Sequence, residues 1–189
     1  MKRVNVFRWH DGVLTEFEDR IAEGSFLHLR LMDGIALDTV ISPNRVKEFV
    51  YGNLFSEGLI RTSKDVLSYK ERRRENNFVV EVSLASSKKL SFRRNYNVLW
   101  TDCASPSLIQ KRLGDKLTVI RTSLRIKPRK LIEATRKVRE LSVPYKETGA
   151  LHSAFLFDEN LEVITYAHDV SRHNAVDKVI GTHFLGGKS

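Results

Sequence analysis

Thiols are almost absent from this chain: Cys103 is the one cysteine in 189 residues. That scarcity excludes an internal disulfide framework and a multi-cysteine zinc site, and it fits a reducing compartment. Long apolar runs are missing too, so no segment reaches membrane-spanning length. Lys2 and Arg3 are not followed by the apolar stretch that a secretory signal requires. There is no internal repeat, no low-complexity tract and no Pro/Gly-rich linker. The expectation is a soluble, cytoplasmic protein with no membrane partner. It is expected to form a single domain over 1–189, with a hairpin-and-helix portion at 1–62 and a core portion at 63–189. Acidic residues are outnumbered, giving a net charge of +9. Such a balance favours an anionic partner (nucleic acid, a phosphorylated cofactor or an acidic protein face) without choosing among them.

Residues 26–32 and 35–41 read as strands around Asp33-Gly34, a pair that supplies the positive φ angles of a tight turn. Ser42 and Pro43 then suit an N-cap and a first helical position, and Val46, Phe49, Val50 and Leu54 share one face of a helix from 43 to about 57. Gly58 ends it. The segment KERRRE at 70–75 reads as a charged connection, and 78–84 as a strand. Residues 97–100 suggest a short strand leading to Cys103, with Ser105 and Pro106 opening a short helix that stops at Gly114; 117–121 is another strand. Pro128 opens a helix whose Leu131, Ala134, Val138 and Leu141 share a face, and Pro144 blocks its continuation. Strands at 153–157 and 161–166 pair across Asp158-Glu159-Asn160, and a last helix covers 172–180. Interspersed strands and helices predict an α/β fold, a mixed sheet with helices packed on it.

Polar residues unsuited to a core crowd the stretch from Thr148 to Gly181, which holds His152, Asp169, Arg172, His173 and Asn174. A helix N-terminus beside Arg172 and His173 favours phosphate. Equally, Asp169 or Ser171 can simply cap that helix, leaving Arg172 solvated. Cys103 precedes an expected helix start, where the dipole favours a thiolate, although Asp102 opposes ionisation and a lone cysteine is often buried and inert. His168 and His173 stand five apart and match no usual zinc spacing, so no metal site is expected. The C-terminal Gly-Gly-Lys-Ser lacks the earlier glycine and the strand–helix setting of a phosphate-binding loop. Between Lys70 and Arg94, eight Lys/Arg face three acidic residues, with too few interleaved aromatics for a nucleic-acid surface.

Three segments carry a resemblance to a known family. They are IALDTVISPNRVKEFVYGNLFSEGLI, with Pro43, Glu48, Gly52, Leu54, Ser56, Glu57 and Gly58 in place; the surroundings of Cys103; and TGALHSA followed by HDVSRHNAVDK. In this order they resemble the FdhD family of formate dehydrogenase accessory sulfurtransferases. The resemblance implies a cytidine-deaminase-like α/β fold, with the C-terminal part of the family fold missing from this chain. It implies a homodimer that takes persulfide sulfur from a cysteine desulfurase. The sulfur then passes to the molybdenum or tungsten bis-pterin guanine dinucleotide cofactor before that cofactor enters the catalytic subunit of formate dehydrogenase. The cofactor is a bound substrate, and no tightly held cofactor is expected. By position Cys103 is implied as the sulfur carrier, and Arg172, His173, Asn174 and His152 as cofactor-binding residues. Pro106 replaces the family's second cysteine, Ala104 the accompanying glycine, Ser171 a glycine and His168 a glutamate. A persulfide needs one sulfur, so transfer survives these changes, whereas release through an intramolecular disulfide does not. The alternative is a non-catalytic docking chaperone for the cofactor or the enzyme. Zinc deamination, a chemistry of that fold, lacks both its H-x-E and its P-C-x-x-C signatures here.

Overall fold

The computed structural model describes residues 1–32, 36–85 and 121–186. The expected turn at Asp33-Gly34, the elements at 97–100 and 105–114, all of the strand expected at 117–121 except its last residue, and Cys103 itself lie outside those residues. In chain order the described elements are β1 (Lys2–His10), β2 (Val13–Ile21), β3 (Ser25–Leu31), β4 (Ala36–Ile41), α1 (Val46–Ser56), a 3-10 turn (Ser63–Asp65), β5 (Val66–Arg74) and β6 (Asn77–Leu84). After these come α2 (Pro128–Leu141), α3 (Val143–Thr148), β7 (His152–Phe157), β8 (Val163–Asp169) and α4 (Arg172–Leu185).

Alternation along β3 turns Leu27, Leu29 and Leu31 inward and leaves Phe26 and Arg30 exposed, the two-residue period of a half-buried strand. The strand pairs antiparallel with β4, Leu29 opposite Leu37, as the sequence predicts for 26–32 and 35–41. Its other edge runs parallel to β6, and β5 closes the order β4-β3-β6-β5. The sheet is therefore mixed, and the α/β architecture expected from the sequence is the one observed. Phe49, Val50 and Leu54 of α1 pack with Leu27, Ile41, Val80 and Val82 of the sheet. Each such buried side chain contributes roughly 1.5–3 kcal/mol. Helix α4 crosses α1 and also packs on the separate β7–β8 ribbon, so α1 lies between the sheet and α4.

Several local expectations are corrected. Helix α1 starts at Val46, not Pro43, and Ser42 is not its N-cap. Arg45 stands there in the left-handed region (φ 50°), held by bonds from its guanidinium to the Tyr166 carbonyl (2.7 Å) and Thr182 Oγ1 (3.4 Å). The stretch KERRRE is not a connection: its first five residues belong to β5, paired so that Arg73 lies opposite Phe78. As an edge strand, β5 gains from charge, which discourages pairing with a second chain. Residues 1–21 form an unanticipated hairpin around Asp11 (φ 48°) and Gly12 (φ 80°), the turn geometry that Asp-Gly favours. Its apolar residues are hard to read because Phe7, Trp9 and Leu14 stay exposed. On α2 only Ala134 of the expected apolar face is buried among the described residues. The last helix continues beyond Ile180 to Leu185.

Candidate functional site

Helix α4 is anchored by polar side chains where a core helix would ordinarily be apolar. Its buried residues include Asn174, Asp177, Lys178 and Gly181, whose spacing places them on one face. Gly181 meets Gly52 of α1. A Cβ on Gly52 would lie 1.8 Å from the Asp177 carbonyl oxygen, and one on Gly181 1.8 Å from that of Glu48. The two backbones approach this closely because neither residue has a side chain. Beside the crossing, Asp177 accepts from Asn53 Nδ2 (3.0 Å) and Ser56 Oγ (2.8 Å). Burial pushes its carboxyl above the ordinary range, while those two donors pull it back.

At the start of α4 lies a buried ion pair. Asp169 and Lys178 are both fully buried, with Nζ 2.6 Å from Oδ2. Oδ2 also accepts from the Ser42 N–H (2.9 Å), and Oδ1 accepts from the Ser171 N–H (2.9 Å) and Asn174 Nδ2 (3.2 Å). Lys178 completes its donors with the Ser42 carbonyl (3.0 Å) and Asn44 Oδ1 (3.2 Å). Ser42 Oγ accepts from the Val170 N–H (3.1 Å), so the strand-to-helix loop before α1 is stitched to the one before α4. Burial lowers the Lys178 pKa and Asp169 opposes that shift. This is the arrangement in which a buried charge is tolerable, paired and with every hydrogen bond made. It also corrects the expected cap: Asp169 braces the residue before the helix, and Ser171 makes no side-chain capping bond.

The expected binding residues separate on this scaffold. Arg172 and His173 are exposed on the first turn of α4. Asn174, next in sequence, points the other way, buried and donating to the Val40 carbonyl (2.8 Å) as well as to Asp169. His152 stands opposite Asp169 in the β7–β8 register and is exposed. It lines a cleft of about 400 Å³ with Arg139, Tyr145, Lys146, Leu151 and Ser153, a lining that includes none of the α4 trio. His168 sits behind this wall, its Nδ1 2.8 Å from Ser153 Oγ. Burial, with help from Arg45 and Lys178, lowers the His168 pKa and favours the neutral ring at neutral pH. Among the described residues no His, Cys, Asp and Glu side chains group as metal ligands would.

Asp177 and Lys178 are not marked as site residues by the sequence reading, and Ser42 enters it only as an N-cap. The available signal was their spacing: Asn174 and Lys178 are four apart, and Asp177 and Gly181 are four apart, a helical core pattern written in polar letters.

Comparison with known proteins assigns the chain to a family. The profile of the FdhD/NarQ family matches residues 23–189. The sulfur carrier protein FdhD of Saccharolobus solfataricus is 30% identical over an alignment covering 100% of this chain and 71% of that protein. Its counterpart in Sulfurisphaera tokodaii is 31% identical, covering 100% and 72%, and that of Bacillus subtilis 26%, covering 98% and 70%. The crystal structure of a protein described as a formate dehydrogenase accessory protein from Desulfotalea psychrophila superposes with a TM-score of 0.66. It is 21% identical and covers 98% of this chain and 69% of its own, which establishes the shared fold. With the profile running from the β2 end to the last residue, over the glycine crossing and the buried ion pair, the chain belongs to the FdhD/NarQ family.

Proposed function

We propose that this protein is a sulfur carrier for the maturation of formate dehydrogenase. Cys103 receives the sulfur, and Arg172 and His173 orient an anionic bis-pterin guanine dinucleotide substrate of molybdenum or tungsten. The observation that carries the reading is the division of α4. Its inner face is pinned by Asp169, Asn174, Asp177 and Lys178, while its first turn presents a guanidinium and an imidazole at the positive end of the helix dipole. Relatives named as sulfur carrier proteins support the same role. Asn174 then acts by positioning, and His152 belongs to a second part of the surface.

Loading needs no external oxidant. The Cys103 thiolate attacks the outer sulfur of a desulfurase persulfide, a new S–S bond forms as the donor's breaks, and the donor cysteine leaves as a thiolate. The proposed partners are a cysteine desulfurase, the catalytic subunit of formate dehydrogenase and a second copy of this chain. The replacement of the family's second cysteine by Pro106 favours a competing reading, a docking chaperone that carries no sulfur.

Incubation with a cysteine desulfurase and cysteine is expected to add the mass of one sulfur atom at Cys103. The Cys103→Ala chain is expected to gain none, to keep its circular dichroism spectrum and to lose formate dehydrogenase maturation. Normal maturation by Cys103→Ala would leave the docking reading standing in place of the carrier.

A further inference from the structure

The basic run KERRRE has no part in the carrier reading, and the fold gives it an order that the sequence hides. Residues 70–74 form the exposed end of β5, the outermost strand of the order β4-β3-β6-β5 among the described residues. The strand period sorts them by face. Tyr69, Glu71 and Arg73 stand opposite Val82, Val80 and Phe78, the buried residues of β6 that pack toward α1, so these three lie on the α1 side. Ser68, Lys70, Arg72 and Arg74 lie on the other side, where the Ser68 hydroxyl is 2.6 Å from that of Ser83. Three cations therefore recur at every second residue along one rim, roughly 6.5–7 Å apart. Opposite them on β6 are Glu81, Val79 and Asn77, and Glu81 reaches Arg72 at 3.8 Å.

We propose that this rim takes an extended acidic segment of a partner protein as an added strand on β5. The outer edge of β5 pairs with no strand among the described residues, and such an edge is a template for a further strand. Side chains directly opposite each other on one face of a sheet are about 5 Å apart, so carboxylates at every second position of the added strand each meet Lys70, Arg72 or Arg74. The same row of charge repels a second copy of β5, which makes the edge selective rather than merely open. Single-stranded nucleic acid fits the rim less well, because this face of β5 carries no ring on which a base can stack; Tyr69 lies on the other side. A simpler account is solvated charge that only guards the edge. It leaves the alternation unexplained: Arg73, the cation on the α1 side, lies over the Phe78 ring at 5.4 Å, while the three on the rim all face outward together.

The proposal requires neither Cys103 nor sulfur transfer, so it stands or falls separately from the carrier reading. Its test is titration of the full chain into a labelled synthetic peptide that alternates glutamate with threonine, read by fluorescence anisotropy at low and high salt. The peptide is expected to bind, more weakly as salt rises, and to slow hydrogen exchange of the β5 amides. The same peptide N-methylated at alternate residues keeps its charge but loses strand donors, and it is expected not to bind. Lys70→Thr, Arg72→Thr and Arg74→Thr together are expected to weaken binding about tenfold or more, threonine being a good strand former. A chain that loses as many charges elsewhere, through Arg125→Ala, Lys130→Ala and Arg136→Ala, is expected to bind within about twofold of native. All these positions are exposed, so both chains are expected to melt near the native midpoint. Four results would overturn the proposal: no binding of the alternating peptide, equal binding of its N-methylated form, undiminished binding by the threonine chain, or tighter binding of an oligothymidylate than of the peptide.

Discussion

Replacing either Gly52 or Gly181 by alanine is expected to lower the unfolding free energy by about 3 kcal/mol, the upper end of overpacking effects. The reason is geometric. The new methyl would stand 1.8 Å from a carbonyl oxygen of the facing helix, and the next atoms in its way, at 2.6 Å and 2.9 Å, are backbone as well. No side-chain rotation relieves such a contact, so α1 and α4 must separate. Separation loosens Asn53 and Ser56 from Asp177 and opens the packing of Phe55 on Phe184, whose rings lie 5.2 Å apart. For a domain of this size the thermal midpoint is expected to drop by roughly 6–12 °C, read by circular dichroism. The double variant is expected to cost less than the sum, because one helix displacement relieves both clashes. Gly186→Ala provides the control: its nearest obstacle is at 3.3 Å, at the end of α4, and its effect is expected to be small. A Gly52→Ala chain that melts with the native one would mean the helices do not cross so tightly.

Asp169→Ala is expected to be as damaging, costing about 3–5 kcal/mol, because it strands a fully buried ammonium and removes the acceptor of three further N–H donors. Lys178→Met is expected to cost less. The Asp169 carboxylate would keep the Ser42 and Ser171 amides and the Asn174 side chain, whereas Lys178 without Asp169 retains only two neutral oxygens. Asp169→Asn combined with Lys178→Met is expected to recover part of the loss. Urea unfolding of the native chain, Asp169→Asn, Lys178→Met and their double variant closes a cycle whose coupling energy isolates the pair. A coupling near zero would show that the pair contributes nothing beyond its separate hydrogen bonds.

The two damaging sites illustrate what could be read without coordinates. The β3–β4 hairpin and α1 are legible because leucine and valine alternate or recur at helical spacing, and burial makes that pattern obligatory. The β7–β8 ribbon is legible from the turn at Asp158-Glu159-Asn160, although its second strand runs Val163–Asp169 rather than 161–166. The boundary of α1 was misjudged because Ser42-Pro43 has the local chemistry of a helix start, yet Ser42 gives its N–H, carbonyl and hydroxyl to residues 127 or more positions away. Tertiary bonds overrode the cap. KERRRE was misread because charge suggests a loop, although an edge strand tolerates it. The sequence drew attention to Arg172-His173-Asn174 as one unit. Successive helical residues face about 100° apart, so two of them reach solvent while the third enters the core. Cleft formation by Arg139, Lys146 and His152 was invisible for a related reason, since it depends on how α2, α3 and β7 meet.

Helix α4 has an inner face that holds the fold and an exposed first turn, Arg172 and His173, to which the proposed function gives the substrate. The direct test is a chain carrying Arg172→Ala and His173→Ala, loaded with sulfur by a cysteine desulfurase and then offered the bis-pterin guanine dinucleotide cofactor. The account predicts normal persulfide on Cys103, a thermal midpoint within about 2 °C of native, and handover to the cofactor reduced about tenfold or more. Handover at the native rate from a fully loaded, fully folded double variant would contradict it.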